Sequence, residues 1–423
     1  MADIRKTKKP TCAAFDIAAA RPVSRRAFVQ LLMGGAAAAA LSGCSRGTDD
    51  GSDDAELATV YDGGGSGDTA KSITLMMVGD MLVHTAVWQS GQLADGSVNF
   101  DHLFTHMASD FADADIAIIN QETVLATTDL SQASGFPLFN SPQQIGDAEA
   151  KAGIDAVTCA TNHCLDQGFA GIQAECEFWR NSHPEVEVLG IADSEEVSQQ
   201  IHIIERDGIK VALLNYAENT NGIAVPSDTP WCVKLIADSD PAADVAAARE
   251  AGADFVVIMP HWGTEYVYTP NDFQKQYGQI FADAGADAII GGHPHVIENV
   301  DILTSADGKQ VPCFWSLGNY VSTQAEKPRM LGGMAKLTLQ KSGKDCKVTE
   351  WSMTPIVTHQ TRGDQNFGTY KLADYTEELA SQNYIRQYSS TCTDFTRAYV
   401  NDLAAQILGD GYDKESCILQ GTL

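Results

Sequence analysis

Residues 284–295 read AGADAIIGGHPH. An Ala-Gly step leads through an acidic residue into a short apolar run, and the run ends in two glycines, His293, a proline and His295. The glycine follows a helix-like segment, DFQKQYGQIFAD, where a left-handed cap costs little without a Cβ. The apolar run suits a strand buried on both faces. Related phrases occur at 112–123 (ADADIAIINQET), 152–163 (AGIDAVTCATNH) and 251–262 (AGADFVVIMPHW). Each follows its own helix-like segment: DHLFTHMASDF, SPQQIGDAEAK and SDPAADVAAARE. Helix, cap and buried strand in alternation predict an α/β fold with helices covering the sheet.

The ends of these strands carry the chemistry. SITLMMVGD delivers Asp80, with His84 four residues on. The next exits deliver Asn120 with Glu122, Asn162 with His163, His261 with Glu265, and His293 with His295. In α/β sheets ligands gather beyond the carboxyl ends of strands. Singly, each residue has a plain structural use: Asp80 as a turn former, Asn162 or Glu122 as a helix cap, His293 as a turn histidine. Five exits presenting carboxylates, imidazoles and amides together read as metal ligands on a rigid frame. Oxygen and imidazole donors without thiolate suit Mn, Fe or Zn. His102, His106, His183, His202 and His359 lack such company and are assigned structural places.

The termini read differently. SRRAFVQLLMGGAAAAALSGC contains a twin arginine, Arg25 and Arg26, and an apolar run too short to span a bilayer. It has the layout of a twin-arginine export signal over residues 1–43, and LSGC resembles a lipobox that places a lipid on Cys44. Residues 44–71, rich in Gly, Ser and Asp, form a flexible tether. The expectation is an extracytoplasmic protein anchored to the bacterial cell membrane as a lipoprotein. Beyond Cys12 and Cys44, the remaining eight cysteines include no Cys-x-x-Cys pair, so neither a zinc ribbon nor a thioredoxin-type motif is suggested. With 56 acidic against 28 basic residues the formal charge is −28, which argues against a nucleic-acid partner. Residues 359–423 have Tyr and Leu at helical spacing and predict a helical C-terminal extension of two or three helices.

Taken in order, VGDMLVH, NQET, ATNHCLDQG, PHWGTEY, GGHPHV and SLGNYV resemble the CapA family of capsule, or poly-γ-glutamate, synthesis proteins, over about residues 73–358. That family is similar in fold to calcineurin-like metallophosphoesterases. The resemblance implies a four-layered αββα sandwich over 72–358 with a di-metal site at one edge. By motif, Asp80 and His295 would serve the first metal, Glu122 would bridge, and Asn162, His261 and His293 would serve the second. His163 would protonate the leaving group, with Asp166 placed to orient it. Asn120, Glu265 and Asn319 fall to supporting or substrate contacts.

Two departures from the phosphoesterase pattern weaken the first metal's shell. Leu82 stands where an imidazole is usual, leaving His84 as the nearest, and the bridging aspartate is replaced by Glu122. The implied function is hydrolysis of a phosphoester or related bond in an envelope component. The alternative is metal-dependent binding or assembly of an anionic envelope polymer, within a capsule-synthesis or export complex.

Overall fold

The structure, a computed structural model, describes residues 70–423. The export signal, Cys44 and nearly all of the tether lie outside the described residues. Strands β1 (Lys71–Met81), β2 (Ile116–Asn120), β3 (Ala156–Thr158) and β4 (Glu187–Leu189) open one sheet and run parallel. A second sheet follows from β5 (Ile203–Arg206), β6 (Ile209–Ala217), β7 (Phe255–His261), β8 (Ala288–Ile290), β9 (Val300–Thr304) and β10 (Gln310–Phe314). Within it, β6, β7, β8 and β10 are mutually parallel. The chain then returns to the first sheet with β11 (Asn319–Val321), β12 (Leu331–Ser342), β13 (Asp345–His359), β14 (Gly368–Lys371), β15 (Tyr412–Asp413) and β16 (Ile418–Thr422).

Alternation along the strands sets the layers. Ile73, Leu75, Met77, Ile116 and Ile118 of the first sheet share one core with Val211, Leu213, Phe255, Val257 and Met259 of the second. Their neighbours in sequence point the other way. Met76, Val78, Ala117 and Ile119 pack on a core with Phe111, Ile145, Ile172 and Trp179 from helices. On the far side, Ala212, Leu214, Val256 and Ile258 meet Val245 and Phe281 from the helices Pro241–Glu250 and Asp272–Asp283. The period of two thus serves two cores per strand, and the order is helix, sheet, sheet, helix. No helix among the described residues is long and apolar enough to cross a membrane.

The recurrent phrase has a physical explanation at each position. Gly153, Gly252 and Gly285 take left-handed φ values of 100°, 94° and 101° after their helices. The aspartate two residues on is a strand-starting acceptor. Asp115, Asp155, Asp254 and Asp287 take backbone N–H bonds from Thr74, Ala117, Lys210 and Val256 of the neighbouring strand at 2.6–2.9 Å. Each satisfies the first ladder donor that would otherwise be left over.

The tail departs from the helical expectation in part. Helices Glu377–Gln382 and Arg397–Leu408 are present, but β14 and β16 both add to β13, and β15 adds to β16. β13 itself runs through residues 358 and 359 without interruption. Phe395, Val400, Ala404 and Leu419 join the core that β12 and β13 build. Strands of two to five residues are too short for a period of two to stand out beside a helical pattern.

Candidate metal centre

Strand register assembles the site. β1 pairs in parallel with β2 and β11, setting Asp80 beside Asn120 and Asn319. Across from them, His261 ends β7 and bridges to Gly292 just past β8. Close approach requires glycine at two of these points. A Cβ on Gly79 would lie 1.9 Å from the Gly318 carbonyl oxygen, and one on Gly292 would lie 2.7 Å from Asp80 Oδ1. Beyond Gly292 the turn holds His293 and His295 at φ 101° and 58°. Non-glycine residues seldom adopt such angles, and where they do the surroundings impose them.

Two groups of ligand-type atoms result, Glu122 with His261 and His293, and Asp80 with Glu122 and His295, each within 4.8 Å. In the first, His261 Nε2 stands 3.2 Å from His293 Nδ1, 2.9 Å from Asn162 Oδ1 and 3.7 Å from Glu122 Oε1. Ligands about 2.0–2.2 Å from a shared ion stand roughly 3–3.5 Å apart, so these separations suit one cation. In the second, His295 Nε2 is 3.6 Å from Glu122 Oε1, while its Nδ1 faces Asp80 Oδ2 and Asn319 Oδ1, both at 3.1 Å. Asn120 ties the groups together, donating from Nδ2 to Asp80 Oδ1 at 2.7 Å and lying 3.2 Å from His261 Nδ1. Thr158 fixes that amide by donating to its oxygen at 2.8 Å.

The electrostatics fit a cation. Glu122 is fully buried and neither of its carboxylate oxygens has a hydrogen-bond partner. Burial pushes its carboxyl well above the usual range, and Asp80 pushes it further, against the pull of His295. A buried carboxylate without hydrogen bonds is among the costliest groups a fold can hold, and this one lies among three imidazoles. Burial lowers His261 and His293, the latter to about 4, and the neighbouring imidazoles add to it, so both rings are neutral and able to ligate. His295 is the exception. Burial would lower it, but Glu122 and Asp80 raise it to about 9.

A third element lies beside the groups. His163 Nδ1 meets Asp166 Oδ2 at 2.8 Å, and the same oxygen accepts from the Phe139 backbone at 2.7 Å. The Phe139 ring stands edge-on to His163 at 4.7 Å. His84 is in neither group. It caps the helix Thr85–Ser90, its Nδ1 accepts from the Thr323 backbone at 3.3 Å, and its ring abuts Phe139. Glu265 is exposed at the rim, where its charge reaches Glu122, His293 and His295. Asn319 supports His295 and also donates to Gln324 Oε1 at 3.0 Å.

One neighbour is absent from the sequence reading. Asn221 follows β6, places Nδ2 3.4 Å from both ring nitrogens of His163, and accepts from Asn162 at 3.2 Å. The run LLNYAENTNG (213–222) is a further strand exit rich in amides. It lacks the Ala-Gly-X-Asp lead and any imidazole, so it does not announce itself.

Comparison with known proteins matches residues 74–324 to the family described as bacterial capsule synthesis protein PGA_cap. The PGA biosynthesis protein CapA of Bacillus subtilis (strain 168) is 29% identical over 202 residues, covering 48% of this chain and 50% of that protein. The capsule biosynthesis protein CapA of Bacillus anthracis is 25% identical over 263 residues, covering 60% and 61%. The matched stretches thus span from half to about three fifths of those relatives' lengths. Among solved structures, the NAD nucleotidase NadN of Haemophilus influenzae aligns with a TM-score of 0.42 at 13% identity, over 80% of this chain and 60% of that one.

Proposed function

The chain belongs to the bacterial capsule synthesis protein PGA_cap family, and from that premise we propose that it is a metal-dependent hydrolase of a phosphoester or related bond in an envelope component. The observation that carries this reading is Glu122, with two buried, unpartnered carboxylate oxygens between two imidazole groups. Asp80, Glu122 and His295 would hold one divalent cation, and Glu122, Asn162, His261 and His293 the other, with Mn, Fe and Zn all compatible with these donors. Bound there, the cations supply Lewis-acid polarisation of a phosphoryl oxygen.

The chain's own groups supply the rest. Asp166 accepts a hydrogen bond from Nδ1–H of His163, which leaves Nε2 to carry a proton to a departing alkoxide. Asn221 and Phe139 hold that ring in place. Asn120 and Asn319 fix the orientations of Asp80, His261 and His295, as carboxylates and amides behind metal ligands do. Lipid attachment at Cys44 would keep the site at the membrane, beside a capsule-synthesis or export complex and its anionic polymer.

A second reading, metal-dependent binding of that polymer without hydrolysis, draws on the Asp80 side. There His84 stands apart from the ligand group, and the carboxylates Glu122 and Asp80 raise the proton affinity of His295, with which a cation would compete.

Elemental analysis of the protein purified without chelator, beside His293→Ala/His295→Ala, tests the core of the proposal. About two transition-metal ions per wild-type chain, lost in the variant, are expected. Metal-free protein after supplementation with Mn, Zn and Fe(II) would sink it. Phosphodiester and phosphomonoester turnover that survives in Asp80→Ala would remove the hydrolase and leave the binding reading.

A further inference from the structure

Arg329 lies at the rim of the metal centre in the turn Lys327–Met330. Its guanidinium carbon sits 3.6 Å above the centre of the Tyr266 ring, which is itself 6.0 Å from the ring of His295. Both residues are tied to the ligand turn through the backbone. The Tyr266 amide donates to the carbonyl of Pro294, between His293 and His295, at 2.8 Å. The Arg329 carbonyl accepts from Asn319 Nδ2 at 3.2 Å, and the oxygen of that same amide faces His295. Gln324 completes the set by donating to the Tyr266 hydroxyl at 3.3 Å. Tyr266 takes φ 66°, a left-handed angle that a bulky side chain adopts only when its surroundings demand it.

The charge on this arginine is unspent. Arg180, Arg206 and Arg249 each close on an aspartate at 2.5–3.0 Å. Among the described residues Arg329 makes no ion pair within 4.0 Å, although Glu265 and Glu326 are its neighbours at the rim. A guanidinium lying on an aromatic face keeps its N–H donors free at the edge, fixed in a fork that fits carboxylate or phosphate. In a chain of formal charge −28, an anionic substrate needs such a point of local attraction.

We propose that Arg329, positioned by Tyr266, is a specificity-determining residue that takes a second anionic group of the substrate, one or more units away from the reacting bond. This rests on the metal-centre reading above and adds to it that the substrate repeats its negative charge.

The test measures binding of inorganic phosphate, tripolyphosphate and a short oligo-γ-glutamate to the metal-loaded full chain by calorimetry, with metal content determined on the same samples. Wild type should bind tripolyphosphate or oligo-γ-glutamate at least about ten-fold tighter than inorganic phosphate, the usual effect of one charge-assisted hydrogen-bonded contact. The arm that shows the preference tells whether phosphate or carboxylate is recognised. Arg329→Met should abolish that preference while leaving metal content and inorganic phosphate binding unchanged. Arg329→Lys should restore only part of it, and Tyr266→Leu should lose it because the guanidinium loses its platform. An intact preference in Arg329→Met, or no preference in metal-loaded wild type, overturns the proposal. Wild type that takes up no metal defeats the metal-centre reading itself, which the metal determination reports independently.

Discussion

Among the described residues, two buried carboxylates have no hydrogen-bond partner on either oxygen, and they differ in their company. Glu122 lies among His261, His293 and His295 at the edge where both sheets end. Glu149, on the helix Gln144–Ala152, lies behind the first sheet, where neither of its oxygens has a partner and Glu175 adds to its burden. Around that second pair are Cys159, Cys176 and Tyr320, all with protons held on by burial. A desolvated carboxylate must be neutralised, and a fold can arrange this with a cation or with a proton. His261 and His293, which burial keeps neutral and able to ligate, point to a cation at Glu122, beside the partial relief that His295 gives it. Thiols and a phenol leave the proton as the remaining solution at Glu149 and Glu175.

The largest effect that would break this contrast is at Glu122. Glu122→Gln keeps the shape and removes the shared charge. Both cations should be lost or bound far more weakly, with phosphoester turnover down by roughly 10³-fold or more. The metal-free variant should melt close to metal-free wild type, because relief of the buried carboxylate offsets the loss of its attraction to His295. Metal content by elemental analysis and melting in chelator decide this together, and a variant with full metal content would place the bridge elsewhere. Next in size is His163→Ala. Turnover should fall by roughly 10²–10⁴-fold with metal content unchanged, since His163 is in neither ligand group. Loss of metal in that variant would show the ring to be a ligand instead of a proton carrier.

The sequence displays one of these two places and hides the other. Histidines and carboxylates are unexpected where an apolar strand ends, so Asp80, Glu122, His261, His293 and His295 stand out against the pattern that carries them. Glu149 and Glu175 sit on helices, where acidic residues normally face water, and only tertiary packing turns them inward. The same limit applies to the rest of the site. Asn221, Tyr266 and Arg329 reach it through loops whose course depends on long-range packing, and a strand exit bearing only amides looks like a turn. His84 shows the converse case. Its spacing from Asp80 suggested a ligand, yet the loop turns directly into a helix that takes His84 as its cap. The alternating layers were readable because period and caps are local properties, whereas β14–β16 exist only because β13 and its partners offer open edges.

Glu175 yields the third prediction. Burial raises its carboxyl from 4.5 to about 7, with Leu125 N–H and the Cys159 thiol bonded to it only loosely, at 3.3 and 3.6 Å. A carboxyl raised on folding contributes its stability fully below its unfolded value and loses it as pH rises through the folded one. Wild type should therefore lose up to ~3 kcal/mol between about pH 4.5 and 7 through this group, then level off. Glu175→Gln should be the more stable protein at pH 8 by up to that amount and no more stable at pH 4, with metal content unaltered. Denaturant unfolding at the two pH values measures the difference. A variant destabilised equally at both would mean that Glu175 is ionised and paired in the folded state.

The smallest expected effect tests the border of the metal centre. His84 has its Nδ1 occupied by the Thr323 backbone and its ring against Phe139, and burial lowers it to about 4, so it brings no charge to the Asp80 side. His84→Ala should leave metal stoichiometry unchanged. It should cost about 1 kcal/mol or less in stability, because a half-buried ring is lost from a short helix cap that has no side-chain capping bond to break. A lost equivalent of metal would mean that the ring swings in to complete the Asp80 side when a cation binds. His295 would then have a second imidazole to share the ion with, and the two halves of the centre would be closer in strength than their geometry suggests.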